Sequence, residues 1–330
     1  MTVNGGAARD LLRNLEEIGN IFQVKFACLN ILPAQREFIE NLGIEVLVPS
    51  KQWIPEGGLW NEIIAGQERS ASRAWRNHAP IHEAIKWADA IHLTGGNGSM
   101  EFPQFVSRNT PMHLHYLESK PGIHDDISHY SPNGKNKWKA SIMHLLQTYQ
   151  RKRIEKSFFL FKNNNSWIIS ANSKFSAENL YKIYGIKGSV LYPSVDLSEY
   201  TREETIGETS ELEKIGELER RDYVVTVGRI SRFKGIYEAV EHLEGNDLDL
   251  VLIGGGNPKE NKNLKRHAQQ YNVKITILSG VSSEAMRAVI RHAKAVVGFA
   301  HGEAFGLTPI EAMAIGCLLY TSPSPRDRLK

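Results

Sequence analysis

At 330 residues the chain is long enough for about two domains, and 41% hydrophobic with 23% charged residues is the composition of an ordinary globular protein, which excludes disorder, collagen and coiled coil. Its longest apolar runs, such as 295–300, fall far short of the ~18–20 residues needed to span a bilayer, so no membrane span is expected. The net charge of +3 is uneven, at +5 over 1–192 and −2 over 193–330, and neither half is basic enough to suggest a nucleic-acid partner.

Two cysteines, Cys28 and Cys317, cannot form a disulfide framework or a four-ligand zinc site, and Met1 is followed by Thr-Val-Asn-Gly-Gly without a basic head or an apolar signal core. The expectation is a cytoplasmic protein. Along residues 1–192 short helical and strand signals alternate, the pattern of a parallel sheet covered by helices. Asn4-Gly5-Gly6-Ala7-Ala8-Arg9 opens a helix over 8–18; a glycine pair there lets a ligand approach the backbone, and it equally suits an ordinary helix start. The spacing then predicts strand 44–48, helix 81–88, strand 90–93 running into Thr94-Gly95-Gly96-Asn97-Gly98, and strand 111–115 ending at His115, with His113 on the same face. His124-Asp125-Asp126 reads as a polar loop.

Residues 135–162 hold eight basic residues against the single acid Glu155, with Trp138, Ile142, Leu145, Leu146 and Tyr149 between them. That is either a basic amphipathic helix for an anionic membrane surface, peripheral at the inner face, or a helix whose apolar side packs on its own domain. Strand 167–170, helix 174–184 stopped by Gly185, and strand 190–192 closed by Pro193 complete an N-terminal domain over 1–192. Residues 193–222, with nine acids over 199–222, read as an acidic inter-domain connection with a solvated helical turn.

Beyond it the alternation restarts: strand 223–227, helix 236–243, strand 248–253, helix 259–271, strand 275–278, helix 283–292, strand 295–299 and a helix over 306–315. This predicts a second doubly wound domain over 223–317, facing the first across a cleft at the carboxyl ends of the strands. Asp247-Leu248-Asp249 has metal-type spacing but leads straight into a buried strand, and it reads as a turn. No metal or other cofactor is expected.

Two loops of this second domain carry chemistry. In Val227-Gly228-Arg229-Ile230-Ser231-Arg232-Phe233-Lys234-Gly235 a strand ends in two cations, Arg229 and Lys234, suited to a diphosphate whose charge grows as it leaves; a basic surface turn has the same composition. In His301-Gly302-Glu303-Ala304-Phe305-Gly306-Leu307-Thr308-Pro309-Ile310-Glu311 a glycine loop and a helix start, which favours an anion, lie between two carboxylates suited to sugar hydroxyls. The plainer reading is a helix with acids complementing its dipole.

The order of these segments resembles the group 1 (retaining, GT-B-fold) glycosyltransferases. Glu303 and Glu311, separated by seven residues, are similar to that family's glutamate pair, Val227 to Gly235 to its Val-Gly-Arg…Lys-Gly element, and Ser170 to Asp196 to its domain junction. The resemblance implies an α/β protein of two Rossmann-like domains and the transfer of a hexosyl-type sugar from a nucleotide-diphosphate donor to a glycan or lipid-linked acceptor. It places Arg229 and Lys234 on the diphosphate, Glu311 on the ribose and Glu303 on the transferred sugar. The amides of Phe305, Gly306 and Leu307 would reach phosphate or sugar oxygens, Gly5 and Gly6 would approach the diphosphate, and His115 would lie near the sugar, although a packed structural histidine fits its position equally.

The family pattern would open with a strand before Gly5 and continue past Gly316, whereas Cys317-Leu318-Leu319-Tyr320 gives way to Thr-Ser-Pro-Ser-Pro-Arg-Asp-Arg-Leu-Lys. Both ends therefore read as incomplete, the second domain as truncated and 318–330 as a non-native tail. A sugar-nucleotide epimerase on the same architecture and an inactive nucleotide-sugar-binding fragment stay open as alternatives.

Overall fold

The computed structural model describes residues 6–55, 61, 64–117, 142, 145–146, 148–195, 197–200, 203–216, 218, 222–230, 234–300 and 303–321. The chain divides into two compact units, Met1–Ser194 and Val195–Lys330.

In the first unit, helix α1 (Gly6–Ile21) precedes strand β1 (Lys25–Ala27), α2 (Pro33–Asn41) and β2 (Glu45–Leu47). Then come α3 (Gly66–Arg76), α4 (Ala79–Trp87), β3 (Ile91–Thr94), a 3₁₀ turn (Ser99–Gln104), β4 (Met112–Tyr116), α5 (Thr148–Lys162), β5 (Trp167–Ala171), α6 (Lys174–Tyr184) and β6 (Ser189–Val190). Strands β1 and β2 pair in parallel, and β3-β4-β5-β6 form a second parallel sheet. The core of that sheet is filled by Leu93, Leu114, Trp167 and Ile169, covered by Phe158 and Phe161 from α5 and Leu180 from α6. Phe158 is buried and stacks on Tyr184 at 3.7 Å; burying such a ring stabilises by about 2–3 kcal/mol. Helix α6 starts where the Ser173 hydroxyl accepts from the Ser176 N–H at 3.1 Å and stops at left-handed Gly185. Helix α5 buries Ile154, Phe158 and Phe161 against its own unit, while Tyr149 and Phe159 on its other side stay exposed.

The second unit begins with a 3₁₀ turn (Leu197–Glu199) and α7 (Ile206–Ile215). It continues with β7 (Tyr223–Arg229), α8 (Ile236–Glu241), β8 (Asp249–Gly255), α9 (Pro258–Gln270), β9 (Ile275–Leu278), α10 (Ser283–His292), β10 (Ala295–Gly298), α11 (Leu307–Ile315) and β11 (Leu319–Thr321). All five strands are parallel in the order β11-β10-β7-β8-β9. Strands with near-continuous apolar sequence are buried on both faces, as a parallel sheet requires. Leu250 and Leu252 of β8 face Ile236, Val240 and Leu264 of α8 and α9, while Val251 and Ile253 face Met286, Val289, Ala312 and Ile315 of α10 and α11. Helices therefore cover both sides.

The acidic stretch 193–222 departs from its reading as a solvated connection. Thr205 and Glu208 close a capping box at the start of α7. Glu208, 1% exposed, accepts from Arg287 Nε at 2.9 Å and Arg291 Nε at 3.1 Å, and Glu204 pairs with His292 at 2.8 Å. These acids answer the basic face of α10; removing one member of such a buried set typically costs about 3–5 kcal/mol. Of the segment 318–330, expected as a non-native tail, Leu319–Thr321 pairs in parallel with β10 as an edge strand, and residues 322–330 lie outside the described residues. Among the described residues no helix is long and apolar enough to cross a membrane.

Candidate functional site

Read from the other edge, the second sheet runs β9-β8-β7-β10-β11, so the chain winds away from β7 in one direction and resumes from β10 in the other. In open α/β sheets the loops leaving the two strands at such a reversal part from one another and leave a crevice for a ligand at the carboxyl ends. The two loops singled out in the sequence are the ones that leave β7 and β10.

Arg229 is the last residue of β7 and is exposed. Lys234 and Glu303, 69 positions apart, meet in an ion pair with Nζ 2.5 Å from Oε2, each side chain a little over one-third exposed. Gly235 explains how the loops come so close. Its φ of +62° is left-handed, and a Cβ there would lie 2.2 Å from the carbonyl oxygen of Phe299, at the exit of β10. Ser231, Arg232, Phe233, His301 and Gly302 lie outside the described residues.

Sequence reading missed a third loop of this row. At the end of β8, a Cβ on Gly254 would lie 2.3 Å from the carbonyl oxygen of Gly228, and the Ser279 hydroxyl donates to the Gly254 carbonyl at 2.6 Å. The signal was present as Gly254-Gly255-Gly256 directly after an apolar strand.

Gly306, left-handed at φ 83°, is the N-cap of α11, and the first turn of that helix carries no acidic residue. The plainer reading, acids placed to complement the helix dipole, therefore fails for this helix. Glu311 lies in the second turn, 1% exposed, and its Oε1 accepts from the Tyr200 hydroxyl at 2.9 Å. Glu303 is thus a half-buried carboxylate beside a cation, and Glu311 a buried one whose hydrogen bonds gain strength from their surroundings. Phe305, Gly306 and Leu307 connect the two and are half-buried.

In the first unit, Gly5 lies outside the described residues and Gly6 is the first residue of α1. His115, in β4, is buried with Nε2 3.2 Å from the Leu191 carbonyl oxygen. Burial pushes its pKa down, against the opposing pull of that carbonyl and of Asp10. An imidazole held on a backbone carbonyl is how a structural histidine is satisfied. His113 shares its face of the strand, bonded to Ser170 Oγ at 2.7 Å and to His92 Nδ1 at 2.9 Å, and burial lowers the pKa of His113 and brings that of His92 to about 4. Asp10, which sequence reading did not single out, ties α1 to the chain after β6 by accepting from the Ser194 N–H at 2.8 Å and hydroxyl at 3.1 Å.

Asp249 opens β8 at the end of the strand opposite Arg229's row and pairs with Lys274 at 2.8 Å, as befits a strand entry. Among the described residues no group of three or more His, Cys, Asp or Glu side chains could hold a metal ion. His124, Asp125, Asp126 and the basic residues 135–139 lie outside the described residues.

Residues 208–325 match the family described as glycosyl transferases group 1. Among curated proteins none is significantly similar to the chain. Solved structures share its fold. HepE of Anabaena, solved in complex with UDP and glucose, has a TM-score of 0.63 at 16% identity, over 98% of this chain and 79% of that one. Sucrose-phosphate synthase of Thermosynechococcus elongatus has a TM-score of 0.65 at 16% identity, over 95% and 75%. A glycosyltransferase of Rickettsia africae has a TM-score of 0.61 at 15% identity, over 97% and 76%. The chain thus has the α/β architecture of parallel sheets seen in GT-B glycosyltransferase structures, and its residues 208–325 are similar to the group 1 glycosyl transferases.

Proposed function

We propose that the chain transfers a sugar from a nucleoside-diphosphate donor, with retention of anomeric configuration, to a glycan or lipid-linked acceptor. The observation that carries this reading is the meeting of Lys234 and Glu303 at 2.5 Å, at the reversal point of the second sheet. As the bond from sugar to diphosphate breaks, negative charge collects on the leaving phosphate. The Arg229 fork, the Lys234 point charge and the amides of Phe305, Gly306 and Leu307 at the α11 N-terminus are the groups that stabilise it. A diphosphate competes with Glu303 for Lys234, which turns the Glu303 carboxylate to the sugar hydroxyls. Glu311 accepts from the ribose. The bound UDP and glucose of HepE support a nucleotide-sugar donor. The remaining assignments of the resemblance, Gly5 and Gly6 toward the diphosphate and His115 toward the sugar, belong to the same proposal.

Cations and helix dipole carry the leaving charge in this scheme, so no metal is required. A thermal-shift screen of nucleotide sugars tests it, with and without EDTA and repeated on Glu311→Ala. A donor at about 100 times its Kd stabilises by about 2.7 kcal/mol, or roughly 5 °C or more. The expected result is such a shift with one donor, retained in EDTA and lost in Glu311→Ala. No shift with any donor, or one indifferent to the substitution, overturns the assignment.

A specific observation also favours a membrane-facing acceptor side. Leu145 and Tyr149 are 72% and 62% exposed and Phe159 is 64% exposed, while Lys152 and Lys156 are exposed along the same side of α5. We infer contact with an anionic lipid surface through this strip. Co-sedimentation with phosphatidylglycerol-containing vesicles is expected, and phosphatidylcholine vesicles or a Leu145→Glu, Tyr149→Glu chain should show little; equal behaviour in all three removes the reading.

A further inference from the structure

We propose that Tyr200 is a positioning residue for the donor: its hydroxyl fixes the Glu311 carboxylate in the orientation that accepts the ribose hydroxyls. This rests on the reading of Glu311 given above and assigns a residue that neither the family match nor the sequence pattern singles out.

Tyr200 follows the 3₁₀ turn Leu197–Glu199 and is 3% exposed. Its ring belongs to the apolar cluster of Val225, Met286, Val289, Ala312 and Ile315, on the face of the sheet that α11 covers. The phenol is therefore held by packing on both its own segment and the helix that carries Glu311. From that fixed base the hydroxyl reaches Oε1 at 2.9 Å, within ordinary hydrogen-bond range. A glutamate has three side-chain torsions, whereas a packed tyrosine has two and a rigid ring, so the bond transfers the rigidity of the core to the carboxylate. A carboxylate so held recognises a pair of neighbouring hydroxyls as a unit, because one loosened torsion moves its oxygens by more than hydrogen-bond tolerance. Glu199-Tyr200 sits in the acidic stretch that reads as a connection, so the sequence hides this role.

The test compares binding of UDP, GDP and ADP to the full chain by calorimetry, then sets the tightest of them against its 2′,3′-dideoxy analogue. The wild-type chain is expected to prefer the ribose form by about tenfold or more, as loss of hydrogen bonds to a charged group implies. Tyr200→Phe, which removes one oxygen and keeps the ring, should cut that preference to about threefold while melting within a few degrees of wild type. Glu311→Gln should cut it as well, and the double variant should lose no more than Glu311→Gln alone. A ring that merely packed would leave the preference unchanged. If Glu311→Gln loses the preference and Tyr200→Phe keeps it, the role of Tyr200 is overturned and the donor site stands. If both keep it, or none of the three nucleotides binds the wild-type chain, the reading of Glu311 falls and takes this proposal with it. Should Tyr200→Phe not fold, Tyr200→His, whose ring N–H replaces the donor, decides: a preference near wild type supports the proposal and one as low as Glu311→Gln overturns it.

Discussion

Glu303→Gln is expected to lower the rate of sugar transfer by about 10²-fold and to leave the melting temperature within a degree or two. The first half follows from what the carboxylate does in the proposed reaction: hydrogen bonds to a charged group are worth about 1.5–3 kcal/mol, and those formed to the sugar as the bond to diphosphate opens act on kcat. The second half follows from exposure. The Lys234–Glu303 pair keeps more than one-third of each side chain in solvent, and such pairs contribute roughly 0–1 kcal/mol to stability. Activity and stability therefore separate at this position, as they do not in a core. Steady-state turnover beside a melting curve checks both, and a Glu303→Gln chain that turns over at the wild-type rate removes the residue from the reaction.

The two halves of this site differ in how far the sequence reveals them. Arg229, Lys234, Glu303 and Glu311 stand out because each lies just past an apolar run or on the helix after it, and strand ends are where α/β sheets present chemistry. That Lys234 meets Glu303 depends on strand order, which no local pattern carries: the chain returns to place β10 beside β7 only after β8 and β9 are laid down on the other side. The short strand Lys25–Ala27 and helix Pro33–Asn41 escape for a different reason, since three residues give no alternation to count and the helix has only Gln35 and Ile39 buried. In 199–222 the charge count misleads. Nine acids look solvated until Arg287 and Arg291, about 80 residues further on, are seen to close on Glu208. Tyr200 and Asp10 are hidden in the same way, their partners Glu311 and Ser194 being 111 and 184 positions away.

Gly235→Ala is expected to destabilise the second unit by about 3–5 kcal/mol, at the upper end of what single substitutions cost, through a steric and backbone conflict in a packed region. Two causes act together. A left-handed φ of +62° costs an alanine roughly 1–2 kcal/mol, and the new Cβ would sit 2.2 Å from the Phe299 carbonyl oxygen and 2.6 Å from its carbonyl carbon. Those are backbone atoms at the exit of β10, so relief requires the loop after β7 to move away from the loop after β10. That motion also draws Lys234 from Glu303, and nucleotide binding should fall together with stability. Gly245→Ala separates the two causes, because Gly245 has a similar φ of +75° and nothing within 4 Å of the added Cβ. It should show the conformational cost alone and bind nucleotide as the wild-type chain does. Melting and UDP titration of both variants decide the matter: if Gly235→Ala melts and binds like Gly245→Ala, the two loops are not in the close contact on which the shared site depends.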